Sequence, residues 1–245
     1  MEVLEHFYLK TIVPIKIGPI DISITNLTLS LFAGVGLFII LLLVMSAKPR
    51  VIPRKRQVIV EFLLDFIRKR ICYNVIGPKE GDRWVPLIST IFIFVLASNL
   101  IGLVPGAYTP TANPVFTLVL AIIVFFTVHI TNLIKNGIRG YLRSYAPRSI
   151  PGCMLVIVVP IELISTIAKP FSLFIRLFAN MLAGHTIIYV ILGLIIYFKT
   201  YLLAIAAVPF AAIMMLLELF VACVQAYVFA ILTALYIGEA VNPRH

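Results

Sequence analysis

The sequence predicts an all-α membrane protein. Three observations point there: 62% of the 245 residues are apolar and only 12% charged, uncharged runs reach bilayer-spanning length, and basic residues gather at the flanks of those runs. Soluble domains usually hold about 45–50% apolar and about 25% charged residues. The surplus apolar surface must face lipid. A single membrane domain is expected over 1–245, because no polar linker separates two.

The first element is residues 27–47, which carry no charge over 21 positions. At ~1.5 Å per residue this matches a hydrocarbon core of about 30 Å, so a transmembrane helix is predicted. Thr25 and Asn26 supply capping oxygens before it. Residues 1–26 form an N-terminal segment; its start, MEVLEHFYLK, lacks the apolar run and cleavage site of a removable signal peptide. Residues 54–74 alternate Gln57, Glu61, Asp65 and Arg68 with Val58, Phe62, Leu63, Phe66 and Ile67 at helical spacing. An amphipathic helix with basic ends lies in the membrane interface.

Residues 84–134 hold no Asp, Glu, Lys or Arg and are divided by PGAYTPTANP (105–114). They predict a transmembrane hairpin, spans 84–104 and 115–134, with its turn outside the bilayer. Between Ser149 and Ile237 the only charged residues are Glu162, Lys169, Arg176, Lys199 and Glu218. The region 149–239 makes either four conventional spans or two very long helices. The polar break at Lys199 favours two, each about 60 Å long and therefore tilted or bent.

The net charge of +10 is a topology signal. Ten of the twenty basic residues fall between Lys48 and Arg83, and four more between Lys135 and Arg148. All these clusters reach one face, which the positive-inside rule makes the cytoplasm or matrix, with the N-terminus outside. This placement argues against a nucleic-acid partner. Cys72, Cys153 and Cys223 are far apart and predict neither metal site nor disulfide.

Charges inside apolar helices are the candidate functional residues. A central Arg costs at least about 2.5–3.5 kcal/mol in lipid, and Arg176 cannot shed its proton. It needs an anion, and none stands at i±3 or i±4. The partner comes from another helix, Glu218 or Glu162, or from another chain. Asn180, one turn on, offers hydrogen bonds but no charge. Helical arithmetic makes two polar sets along the region: Glu162 and Glu239 toward the basic face, His185 and Glu218 toward the other half, with Gln225 on the stripe of Glu218. A His beside a carboxylate in low dielectric suits a proton relay.

The segments AKPFSLFIRLFANMLAGH (168–185) and LELFVACVQAYVFAILTALYIGEAV (217–241) resemble subunit a of F-type rotary ATP synthases, in its mitochondrial and alphaproteobacterial form. VPIKIGPIDISITN, VIPRKRQVIVEFLLDF and FVLASNLIGLVPGAYTPTAN are similar to the same family, so the resemblance covers nearly the whole chain. It implies two long, strongly tilted helices rather than four spans. It implies that Arg176 faces the carboxylates of a rotating c-subunit ring, with peripheral-stalk subunits as further partners. His185, Glu218, Asn180 and Gln225 would line an outer half-channel, with Asn99 near its mouth. Glu162 and Glu239 would line the half-channel open to the cytoplasm or matrix. Asn113 departs from the family, standing where relatives often carry His. The family performs no covalent chemistry in this subunit, needs no cofactor or metal, and resides in a mitochondrial or bacterial inner membrane. Two rival readings, a solute transporter and a structural anchor, lack respectively paired helix breaks between repeats and a reason for the buried charges.

Overall fold

The computed structural model describes residues 11–14, 16–17, 20–21, 23–46, 55–104, 108–145, 152–198 and 201–241. The basic run 48–54, the centre of the hairpin turn (105–107) and the break at Lys199 lie outside the described residues. Six helices dominate: α1 (Asn26–Ser46), α2 (Lys55–Phe66), α3 (Pro78–Gly102), α4 (Pro114–Tyr145), α5 (Gly152–Phe198) and α6 (Tyr201–Val241). Helices α3 to α6 are each long and apolar enough to cross a membrane, and α1 has 21 residues without a charge. The chain is an all-α membrane protein.

The C-terminal region forms two helices, of 47 and 41 residues, continuous through Pro160 and Pro170 and through Pro209. At ~1.5 Å per residue these are about 70 and 60 Å long, roughly twice the hydrocarbon thickness. Neither fits a bilayer upright.

The described residues fall into two compact units. The first comprises Met1–Ala47, Ile93–Pro114 and Leu177–Ala226. Here the Asn26 side chain accepts from Leu27 N at 3.0 Å and Thr25 Oγ1 accepts from Thr28 N at 3.4 Å, capping α1. Two short antiparallel ladders precede it, β1 (Thr11–Val13) with β4 (Ile24–Thr25) and β2 (Lys16–Ile17) with β3 (Ile20–Asp21). At the unit's centre Met181 of α5 and Ala222 of α6 pack against Ala112, in a 3₁₀ turn at Pro110–Ala112. Thr109 through Asn113 are all buried. The second half of the hairpin turn thus folds inward against α5 and α6 rather than standing clear as a polar loop.

The second unit comprises Lys48–Phe92, Val115–Arg176 and Tyr227–His245. After α2 the chain widens into a π-helical stretch, Ile67–Tyr73, with Ile67, Ile71 and Cys72 buried. From this stretch Arg68 Nε and Tyr73 OH both donate to Asp82 Oδ1, at 2.8 and 2.7 Å, tying it to α3. The helical run of α4 continues past the apolar stretch 115–134. Lys135 meets Glu80 at 2.6 Å and Asn136 Nδ2 donates to Ala240 O at 2.9 Å, so its polar end has partners on α3 and α6. Gly137 breaks the run with φ 65° and ψ 176°. The chain folds back there, and Tyr141 OH comes within 3.1 Å of His129 Nδ1. Twelve residues of straight helix would hold them about 18 Å apart.

Candidate functional site

The first unit holds a polar cluster between α5 and α6, with His185, Glu218 and Gln225 buried and Asn180 exposed. His185 (6% exposed) and Glu218 (3% exposed) approach to 3.4 Å, Nε2 to Oε1. Seven residues along α6, Gln225 Oε1 accepts a hydrogen bond from Asn180 Nδ2 at 3.0 Å. As the partner number rises on α5 it falls on α6, so the helices run antiparallel here and present these four side chains to one another. From α3, Asn99 Nδ2 donates to Ala222 O at 3.3 Å. The predicted residues Asn99, Asn180, His185, Glu218 and Gln225 all lie in this unit.

Several polar atoms of the cluster have no protein hydrogen-bond partner: both Glu218 oxygens, Asn99 Oδ1, Gln225 Nε2 and Thr111 Oγ1. Buried groups of this kind normally find a partner, and where protein offers none they hold ordered water. These unpartnered polar atoms come from α3, the turn at 110–112 and α6, within the same unit.

Two contributors to the cluster are invisible in a linear reading. Thr109 Oγ1 shares a 2.7 Å hydrogen bond with His185 Nε2, from 76 residues away. Gly184 lies flat against Glu218: a Cβ there would come within 2.7 Å of Oε1 and 3.0 Å of the carboxyl carbon. A proline-flanked threonine in a turn has no periodicity to distinguish it, and a helical glycine acquires its reason only from the neighbour it admits.

The second unit holds the other predicted residues. Lys169 Nζ pairs with Glu239 Oε2 at 2.7 Å and lies 5.6 Å from the centre of the Tyr236 ring, drawing α5 and α6 together. The lysine is thus the ion-pair partner of Glu239. Glu162, half-buried on α5, makes no ion pair among the described residues. Arg176 is exposed, and Phe171 and Ile175 beside it on α5 are exposed too. Its guanidinium makes no hydrogen bond or ion pair among the described residues. Neither Glu162 nor Glu218 neutralises it. A cation therefore projects from an apolar surface with no anion beside it among the described residues. No group of three or more His, Cys, Asp or Glu able to hold a metal occurs among the described residues.

The sequence matches the ATP synthase A chain family over residues 27–238. The chain belongs to that family. ATP synthase subunit a of Magnetococcus marinus is 39% identical over 248 residues, covering 99% of this chain and 93% of the relative. Those of Mesorhizobium japonicum and Rhodospirillum rubrum are 38% and 37% identical, covering 99% and 98% of this chain and 97% and 98% of the relatives. Membership in the ATP synthase A chain family and four membrane-length helices make it a multi-pass membrane protein of proton transport.

Proposed function

We propose that this chain is the proton-translocating stator subunit of the ATP synthase membrane sector, converting proton flow into rotation of a c-subunit ring. The carrying observation is Arg176: a guanidinium exposed among apolar side chains, with no ion pair among the described residues. A neighbouring subunit that presents carboxylates at that depth supplies the missing anion. Opposite charge within ~4–6 Å favours the ionised carboxylate, so each ring site sheds its proton on reaching Arg176. Elsewhere on its circuit the protonated, neutral site travels against lipid.

Two half-channels deliver and remove the protons. His185, Glu218, Asn180 and Gln225, with Asn99 near the mouth, line the outer one. Glu162 and Glu239 line the one open to the cytoplasm or matrix. Along α5 the arginine stands between Glu162 and His185, where its charge opposes a direct proton leak. Each proton crossing releases about 2.3 kcal/mol per 100 mV, which biases the ring's rotation. The subunit makes and breaks no covalent bond; ATP forms elsewhere in the complex. Peripheral-stalk subunits hold it against the ring's torque, in a bacterial or mitochondrial inner membrane with the N-terminus outside.

The decisive experiment is Arg176→Ala in the intact complex, read as ATP-driven proton pumping in inverted membrane vesicles. Pumping is expected to vanish while subunit a and the ring still copurify. Near-normal pumping in the assembled variant would overturn the role.

A further inference from the structure

We propose that Thr109 is the positioning residue of the outer half-channel, holding Nε2 of His185 as the nitrogen through which each proton both arrives and leaves. This rests on the half-channel reading above and concerns a residue outside it.

The geometry is specific. Among the described residues, the two polar side chains that meet the imidazole reach the same atom: Thr109 Oγ1 at 2.7 Å from the turn before α4, and Glu218 Oε1 at 3.4 Å from α6. A histidine that passes a proton across its ring takes it up at one nitrogen and releases it at the other. Here the two routes converge on Nε2, so Nδ1 keeps its hydrogen throughout. A hydroxyl donating to Nε2 selects that tautomer and leaves Nε2 a base. Thr109 passes its hydroxyl proton to Nε2 as it takes one from a protonated water on its outer side, so its own protonation is unchanged, the water is left neutral and the incoming charge now sits on the imidazolium. The imidazolium then gives Nε2–H to the Glu218 carboxylate and returns to its starting form.

The turn is built to hold this hydroxyl in place. Thr109, Pro110, Thr111, Ala112 and Asn113 are all buried, Asn113 Nδ2 donates to Tyr108 OH at 3.3 Å, and Tyr108 N donates to Ser30 Oγ at 3.2 Å. Thr111 Oγ1, in the same turn and fully buried, has no protein partner and can hold the water that resupplies Thr109. The titratable groups around Nε2 are Glu218 from α6 and Tyr189 on α5, whose ring centre lies 6.3 Å from that of His185. The turn residues 108–113, α1 and residues 93–102 of α3 contribute no charged side chain.

The test compares Thr109→Val, which keeps the shape and removes the hydroxyl, with Thr109→Ser, which keeps the hydroxyl. Both are made in the whole ATP synthase and read as ATP-driven pumping across a range of pH. Thr109→Val should lose roughly tenfold or more, the loss of a hydrogen bond to a group that becomes charged, and its pH profile should move. Thr109→Ser should keep both rate and profile. Wild-type pumping in the valine variant, or equal failure of the serine variant, overturns the proposal. If the valine variant does not copurify with the ring, Thr109→Cys carries the test: its weak S–H donor should give an intermediate rate, and an unchanged rate is again fatal. Arg176→Ala is measured alongside. A dead arginine variant beside a normal Thr109→Val sinks this inference alone, whereas a pumping arginine variant sinks the stator reading.

Discussion

Adding one methyl group at Gly184 tests whether Glu218 must sit where it does. The new Cβ of Gly184→Ala would lie 2.7 Å from Glu218 Oε1, 3.0 Å from Cδ and 3.3 Å from Cγ. Ordinary carbon–oxygen contact needs about 3.4 Å, so the carboxyl must retreat by about 0.7 Å. It is buried beside the His185 ring and cannot swing freely into solvent. A misplacement approaching 1 Å in a reacting group can cost on the order of 100-fold, so we expect pumping to fall roughly tenfold to a hundredfold. Helix stability moves the other way, since Ala is favoured over Gly by about 1 kcal/mol inside a helix. Loss of pumping without loss of assembly therefore separates a displaced carboxyl from a damaged fold. Gly36→Ala in α1 is the control: a Cβ there meets nothing within 4 Å, and pumping should be unchanged. Glu218→Asp added to Gly184→Ala shortens the crowded side chain by one methylene and should recover part of the rate. Pumping by Gly184→Ala within twofold of wild type, in a fully assembled complex, would show that the position of this carboxyl does not govern proton flow.

Two further predictions concern the second unit. Gly137→Ala forces a side chain onto φ 65° and ψ 176°, a region essentially confined to glycine, at a cost of about 1–3 kcal/mol; we expect less assembled complex and earlier thermal release of the subunit, and an unchanged melting temperature would refute the bend. Burial pushes the Cys72 thiol up to about 11, so at pH 8 only about one molecule in a thousand presents a thiolate. With Cys153 and Cys223 replaced by Ser, maleimide labelling of the assembled subunit should be slow and rise about tenfold per pH unit toward pH 10, because the thiolate alone reacts; a rate that levels off below pH 9 would place the thiol in water.

Much of the fold is legible in the sequence because lipid removes alternatives. With no water to satisfy backbone groups, an apolar run of spanning length must be helical, and Thr25 and Asn26 mark where α1 begins. The two long helices are harder to read, since about 90 mostly apolar residues suit four spans or two and proline is tolerated within membrane helices. The N-terminal ladders leave only a faint mark in the sequence, IKI (15–17) and IDISI (20–24) each alternating with the period of two of a strand on either side of Gly18-Pro19. The bend at Gly137 escapes sequence reasoning for a different reason. A lone glycine in a helical pattern is usually tolerated, and only the return of Tyr141 to His129 shows what its backbone freedom is used for.

The site divides along similar lines. Charged and strongly polar residues in apolar helices stand out because each costs several kcal/mol unless it has a purpose; Arg176, His185, Glu162 and Glu218 are conspicuous on that ground alone. Thr109 and Gly184 cost nothing where they stand in the sequence, so nothing there draws attention to them. Their importance is relational, a hydroxyl brought to a ring nitrogen and a missing side chain that admits a carboxyl. Lys169 is the intermediate case. It is conspicuous as a membrane charge, yet only the fold shows that Glu239 neutralises it. Arg176, seven residues later on α5, has no such acid beside it among the described residues. Two cations of one helix thus differ: Lys169 joins two helices through Glu239, and the proposed role of Arg176 rests on its lacking such a partner among the described residues.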